Sequence, residues 1–181
     1  MRPDARRLRR RGRQRHGWPA FAGLQVPYSL LQRDIERDLL PMAEHLGLSV
    51  AAWSPLAGGI LSGKFTGAQD PGPGTRIRPD SVSDHQRRVA GTLQAVARDL
   101  GATPSQTAIA WIQGRSPAIC PIIGARRLDQ LRDNLGAAGL ELPPAAAARL
   151  DEAAAFDPGF PAGFIRETSP WVFGAAALAA G

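Results

Sequence analysis

Three short apolar runs, separated by stretches with helical spacing, limit what this chain can fold into. They are residues 24–28 (LQVPY), 48–53 (LSVAAW) and 118–123 (AICPII). Each has the length of a strand. Runs that are apolar almost throughout, rather than alternating, suit strands buried on both faces, as in a parallel sheet. Parallel neighbours need long crossovers, and both gaps here can supply helices. The chain therefore reads as α/β.

The helical stretches have recognisable ends. Over 34–46, Ile35, Leu39, Met42, Ala43 and Leu46 fall on one face, with Asp34 as cap and Gly47 as stop. Pro41 inside that pattern is expected to distort or restart the helix. Residues 85–100 place Val89, Leu93, Val96, Ala97 and Leu100 on a buried stripe. Thr103, Pro104 and Gln106 spell a capping box with proline at the first helical position. That helix buries Ala108, Ile109, Trp111 and Ile112. Two more helices are expected over 128–138 and 143–155. From Phe156 onward a tail is expected to wrap over the surface. Residues 57–84, dense in Gly, Pro, Asp and Ser, make a long loop with the character of a lid.

Three parallel strands alone leave both sheet edges open. A (β/α)8 barrel of the TIM type takes about 250 residues. This chain has 181. Its elements suit the last three βα units of such a barrel, a partial barrel over 17–181.

Charge separates off the first 16 residues. They hold eight of the 22 basic residues, all arginine, and one of the 16 acidic ones, which leaves 14 basic against 15 acidic elsewhere. The pI near 11.1 thus comes from this leader, which is expected to be disordered. One alternative makes it an arm for nucleic acid or another anionic surface. No aromatic is interleaved among the arginines to stack bases, so no nucleic-acid partner is assigned. A single cysteine, Cys120, allows no internal disulfide and fits a reducing cytoplasm. No run approaches the ~18–20 apolar residues of a membrane span. His16, His45 and His85 have no metal-ligand spacing, and no nucleophile triad or proton-donor group is visible.

Two loops carry the chemistry. After the second strand, Trp53-Ser54-Pro55-Leu56-Ala57-Gly58-Gly59 leads to Gly63-Lys64. Glycines let backbone N–H groups approach an anion, Ser54 offers a hydroxyl, Lys64 a charge and Trp53 a flat face. After the third strand, Gly124-Ala125-Arg126-Arg127 precedes a helix, a placement that suits a phosphate. Gln130, Asp133 and Asn134 lie on its first turns, where amides and a carboxylate can read a base edge. Gln25, opposite Leu24 and Val26 in the first strand, can with Tyr28 beside it bond an amide and stack a ring. Each group also has a plainer reading: a Gly/Pro turn with Trp53 in the core, a solvated helix face, a buried and satisfied Gln25.

In order and in register, these segments resemble the C-terminal half of the aldo/keto reductase family. Gly23 to Leu31 is similar to its sixth barrel strand, and Trp53 to Lys64 to its seventh strand and cofactor loop. Thr103 to Trp111 is similar to its seventh helix. Pro121 to Asn134 is similar to its eighth strand and adenosine-binding helix. The resemblance spans roughly 17–175, and the arginine-rich leader has no counterpart in it. It implies an NADPH-dependent oxidoreductase acting on aldehydes or ketones. Gln25 would hold the nicotinamide carboxamide and Trp53 would lie by that ring. Ser54, Pro55, Leu56, Gly58 and Lys64 would line the pyrophosphate, with Arg76 following that loop. Gly124 and Arg126 would meet the 2′-phosphate, and Gln130, Asp133 and Asn134 the adenine. The family's Asp, Tyr, Lys and His tetrad belongs to the first half of its barrel. No residue here takes those roles, and Tyr28 matches a strand-six position. The expectation is a chain that grips a cofactor and does not reduce a carbonyl alone. The alternative is a non-catalytic fragment that binds a nucleotide or a partner, with nucleic acid at its leader.

Overall fold

The computed structural model describes residues 21–65 and 77–173, the side chains of Arg166 and Phe173 excepted. The leader at 1–16 and Arg76 lie outside the described residues. The strands are β1 (Gly23–Pro27), β2 (Ser49–Trp53) and β3 (Ile119–Pro121). They form one parallel sheet in the order β1-β2-β3. Gln25 pairs with Ala51, and Ala51 with Cys120.

The helices are α1 (Leu39–Leu46), α2 (Asp84–Asp99), α3 (Pro104–Gln113), α4 (Leu128–Leu135), α5 (Pro144–Ala153) and α6 (Ala162–Phe173). Both ends of α1 have local causes. The helix predicted from Asp34 breaks into a 3-10 turn at Asp34–Glu36 and a fresh start at Leu39. Pro41 then falls in the first turn, where a missing N–H leaves no bond unmade. At the other end Gly47, with φ 63°, lets Leu48 N–H reach Ala43 O at 2.8 Å. This is a Schellman stop. Two capping boxes open α2 and α3, at Ser83 with Gln86 and at Thr103 with Gln106.

Three expectations need correction. Asp34 caps nothing: it is the first residue of the 3-10 turn, and its carboxylate accepts from Gln32 and Arg37 instead. The restart shifts the phase of α1, so Leu40 is buried and Met42 is 40% exposed. The segment after Phe156 is not only a surface tail but carries the helix α6.

Packing is one-sided. Val50, Ala52 and Ile119 are buried in one cluster with Val89, Leu93 and Val96 of α2, Ala108, Trp111 and Ile112 of α3, and Leu150 of α5. Leu24 and Val26 pack against that cluster. Each large apolar side chain buried there contributes about 1.5–3 kcal/mol. The pleat turns Gly23, Gln25, Ser49, Ala51, Trp53 and Cys120 the other way, and among the described residues no helix covers that face. The apolar strands predict two covered faces; the described residues cover one.

Candidate functional site: the C-terminal ends of the strands

Parallel strands deliver all their following loops to one sheet edge. Tyr28 N–H donates to Trp53 O at 3.1 Å and Ile122 N–H to Ala52 O at 2.7 Å, so the ladder continues to that edge. Gln25 is exposed on the uncovered face. Trp53, 45% exposed, stands on the same face at the end of β2.

The loop after β2 runs through left-handed backbone. Ser54 (φ 60°) and Ala57 (φ 47°) are not glycines, and Gly58 (φ 69°) and Gly59 (φ 105°) follow. A left-handed non-glycine residue costs about 1–2 kcal/mol and persists only where its surroundings impose it. Here Ala57 N–H bonds Ser54 O at 2.9 Å, Gly59 N–H bonds Leu56 O at 2.8 Å, and the Ser62 hydroxyl bonds Gly59 O at 2.7 Å. Pro55 is buried, Leu56 packs on the core, and Lys64 is exposed. A side chain at Gly58 would meet Ile77 at 2.6 Å, whereas one at Gly59 would meet open space.

After β3, Gly124 and Arg126 are exposed, and nothing lies within 4 Å of a Cβ built at Gly124. Gln130 turns back so that its Oε1 accepts from Arg126 N–H at 3.1 Å. This satisfies a donor ahead of α4, whose N-cap Arg127 offers no side-chain cap. Asp133 instead accepts the Thr103 hydroxyl, at 2.9 and 3.1 Å. Asn134 is 6% exposed, and its side-chain amide has no hydrogen-bond partner among the described residues. Gln130 and Asp133 thus bond different neighbours, and the Asn134 side chain bonds none among the described residues.

One helix end holds both loops. The 57–62 turn and α4 each pack on α3. A Cβ at Gly63 would lie 3.0 Å from Pro104, and one at Gly136 would lie 2.5 Å from Gln106. Thr103 bonds Asp133. The capping box was legible in the sequence; its grip on the two loops was not.

Behind the sheet lies a charged cluster the sequence reading missed. Tyr28 is fully buried, its ring 5.5 Å from that of Trp111, and its hydroxyl donates to Glu36 at 2.7 Å. It is not available to stack a ligand ring. Arg33 forks onto both Glu36 oxygens at 2.8 and 2.9 Å and reaches Asp151 at 3.1 Å. Arg115 pairs with Asp151 at 2.9 Å and meets Glu36 at 3.4 Å. Both guanidiniums stack on Trp111. Burial and the Glu36 bond push the Tyr28 hydroxyl far above its ordinary value of 10.0. Burial would raise Glu36, but the Arg33 and Tyr28 bonds outweigh it and hold the carboxyl below its ordinary range. The Arg33–Glu36 spacing was a readable signal; Asp151, far along the chain, was not. A cavity of about 520 Å³ beside Trp111, Arg115 and Glu141 also lies on this helical side, away from the strand ends.

A family model described as the aldo/keto reductase family matches residues 3–155. The chain belongs to the aldo/keto reductase family. The match enters the arginine-rich leader, which the sequence reading set apart. Among aldo/keto reductase relatives, an uncharacterized oxidoreductase, YrpG of Bacillus subtilis, is 39% identical over 125 residues, 67% of this chain and 38% of the relative. A norsolorinic acid reductase of Aspergillus flavus is 33% identical, over 84% of this chain and 38% of its own length. A probable aryl-alcohol dehydrogenase of Saccharomyces cerevisiae, AAD4, is 32% identical, over 83% and 47%. The solved structure of a thermostable aldo-keto reductase, Tm1743, in complex with the inhibitor epalrestat superposes with a TM-score of 0.57 at 28% identity. It covers 82% of this chain and 45% of that one. The chain spans about half the length of such aldo/keto reductases, or less. Among the described residues no helix is long and apolar enough to cross a membrane.

Proposed function

We propose that this chain is the cofactor-gripping portion of an NADP(H)-dependent aldehyde or ketone reductase, its three strands being the last three of a (β/α)8 barrel. The observation that carries the reading is the uncovered sheet face. A parallel sheet with one bare face, bearing Gln25 and Trp53 beside a left-handed glycine loop, suits the interior of a larger barrel.

The residues present fit a flat nucleotide with phosphates. Gly59 and Gly124 open onto free space, as a close backbone approach requires. Asn134 keeps a buried amide without a partner among the described residues, a group that ordinarily finds one. In this reading Gln25 holds the carboxamide and Trp53 flanks the nicotinamide. Ser54, Pro55, Leu56, Gly58 and Lys64 line the pyrophosphate, with Arg76 further along the chain after that loop. Gly124 and Arg126 take the 2′-phosphate. Gln130 and Asn134 border the adenine, and Asp133 acts through Thr103. The bound cofactor supplies hydride to a carbonyl carbon. No Asp, Tyr, Lys or His side chain stands on the uncovered face among the described residues. The chain by itself is therefore proposed to bind the cofactor without turning a carbonyl over.

Titration of the purified chain with NADPH, followed by tryptophan fluorescence, tests this. Binding should weaken about tenfold or more in Arg126→Ala, with NADH affected far less, since one phosphate contact to a guanidinium is worth about that factor. Most of the quenching should vanish in Trp53→Phe. Absence of saturable NADPH binding, or indifference to both substitutions, would overturn the reading.

A further inference from the structure

We infer that Tyr28 is a positioning residue: clamped from behind by Glu36 and Arg33, it orients the Trp53–Ser54 peptide from which the cofactor loop departs. The inference rests on the function proposed above, because it concerns that same loop.

The connection is short. Tyr28 N–H is the last donor of the β1–β2 ladder, and its acceptor is the carbonyl of Trp53 at 3.1 Å. That carbonyl belongs to the peptide whose nitrogen is Ser54, and Ser54 takes φ 60°. A residue in that conformation relaxes unless its neighbours hold it. The Tyr28 bond holds the peptide before it, and the Ala57–Ser54 turn holds the peptide after it.

Tyr28 is itself held from three sides. Its side chain is fully buried and rests on Trp111. Its hydroxyl ends on Glu36, which Arg33 grips with two bonds. The residues just after it form a closed turn, with Ser29 and Gln32 exchanging backbone bonds at 3.1 and 3.0 Å. Leu31 N–H also bonds the Ser29 hydroxyl at 3.2 Å. The Tyr28 backbone thus has little freedom to follow a drifting loop. Through Tyr28 the charged cluster is thus linked to the end of β2, where the loop begins.

Two variants separate positioning from bulk stability. Tyr28→Phe keeps the ring and removes the hydroxyl that fastens it. Asp151→Asn weakens the far side of the same cluster, where Arg33, Arg115 and Trp111 meet, without touching Tyr28. Backbone hydrogen exchange is read on the full chain, at a temperature where circular dichroism shows both variants folded. Tyr28→Phe should speed exchange over 53–62 about tenfold, the factor lost with one hydrogen bond to a carboxylate. It should also weaken NADPH binding by about three- to tenfold. Asp151→Asn should leave both readouts near the parent and speed exchange in α5. Equal acceleration over 53–62 in both variants, no acceleration in either, or an unchanged NADPH affinity in Tyr28→Phe would overturn the inference. If Tyr28→Phe does not fold, Glu36→Gln, which weakens the acceptor, is read the same way with a smaller rise expected. A parent chain that does not bind NADPH at all refutes the proposed function instead, and the exchange contrast still decides this inference.

Discussion

Replacing Thr103 by valine removes two bonds with almost no change of shape. The hydroxyl accepts from Gln106 N–H at 3.1 Å, capping α3, and donates to Asp133 at 2.9 Å, holding α4. Loss of such a cap costs about 1 kcal/mol. Loss of a donor to a carboxylate costs about 1.5–3 kcal/mol, and both groups are half-buried, which favours the lower end. The sum is about 2.5 kcal/mol. For a chain of this size each kcal/mol lowers the melting temperature by about 2–4 °C, so a fall of about 5–10 °C is expected. Thr103→Ser keeps both bonds and should stay within about 0.5 kcal/mol of the parent. A double-mutant cycle with Asp133→Ala, followed by urea unfolding, isolates the second bond. Its coupling energy should be about 1–1.5 kcal/mol. A Thr103→Val loss no larger than the cap alone, together with coupling near zero, would show that α3 and α4 are not joined through this hydroxyl.

Tyr28 is the chain's one tyrosine, so phenolate absorbance reports it alone. Burial and Glu36 raise its folded pKa above the unfolded value of 10.0. The stability this contributes is full below about pH 10 and is lost as pH rises further. The folded chain should show no phenolate near pH 11, while the chain in urea titrates near its ordinary value; early phenolate in the folded chain would contradict the buried placement. Glu36 has the opposite sign: its lowered pKa stabilises above the unfolded value of 4.5, and Glu36→Gln should flatten the acid limb of urea stability measured against pH. Ser54→Gly relieves a left-handed non-glycine residue but frees the unfolded chain, so unfolding free energy should change by less than about 1 kcal/mol. NADPH affinity should fall in the same variant, and a large stability loss would mean the hydroxyl is structural. Asn134→Leu buries no orphaned amide and should raise stability by about 1 kcal/mol in urea unfolding while weakening NADPH binding. Destabilisation there would reveal an internal partner for the amide.

Elements governed by a few adjacent residues were legible in the sequence. Thr103-Pro104-Ser105-Gln106 spells a helix start whatever surrounds it, and Gly47 spells a stop. The two loops at 53–64 and 121–134 were legible as a pair because glycine and basic residues follow strands. Phase was not. A restart two residues long moved Leu40 inward and Met42 outward, and no periodicity announces that. Nor did spacing reveal that Gln130 and Asp133, one turn apart on α4, bond separate neighbours.

Composition and short-range pattern by themselves determined the α/β class, the strand order along the chain and the places where helices begin. These depend on backbone conformations chosen within four or five residues. Tertiary structure decided which sheet face is covered, that Ser54 is held left-handed, and that Tyr28 belongs to a buried charged cluster and not to the ligand side. Each of these depends on a contact with a group distant along the chain, such as Asp151 on Arg33 or Trp111 on Tyr28, and the energy that selects it exists only once the helices have packed.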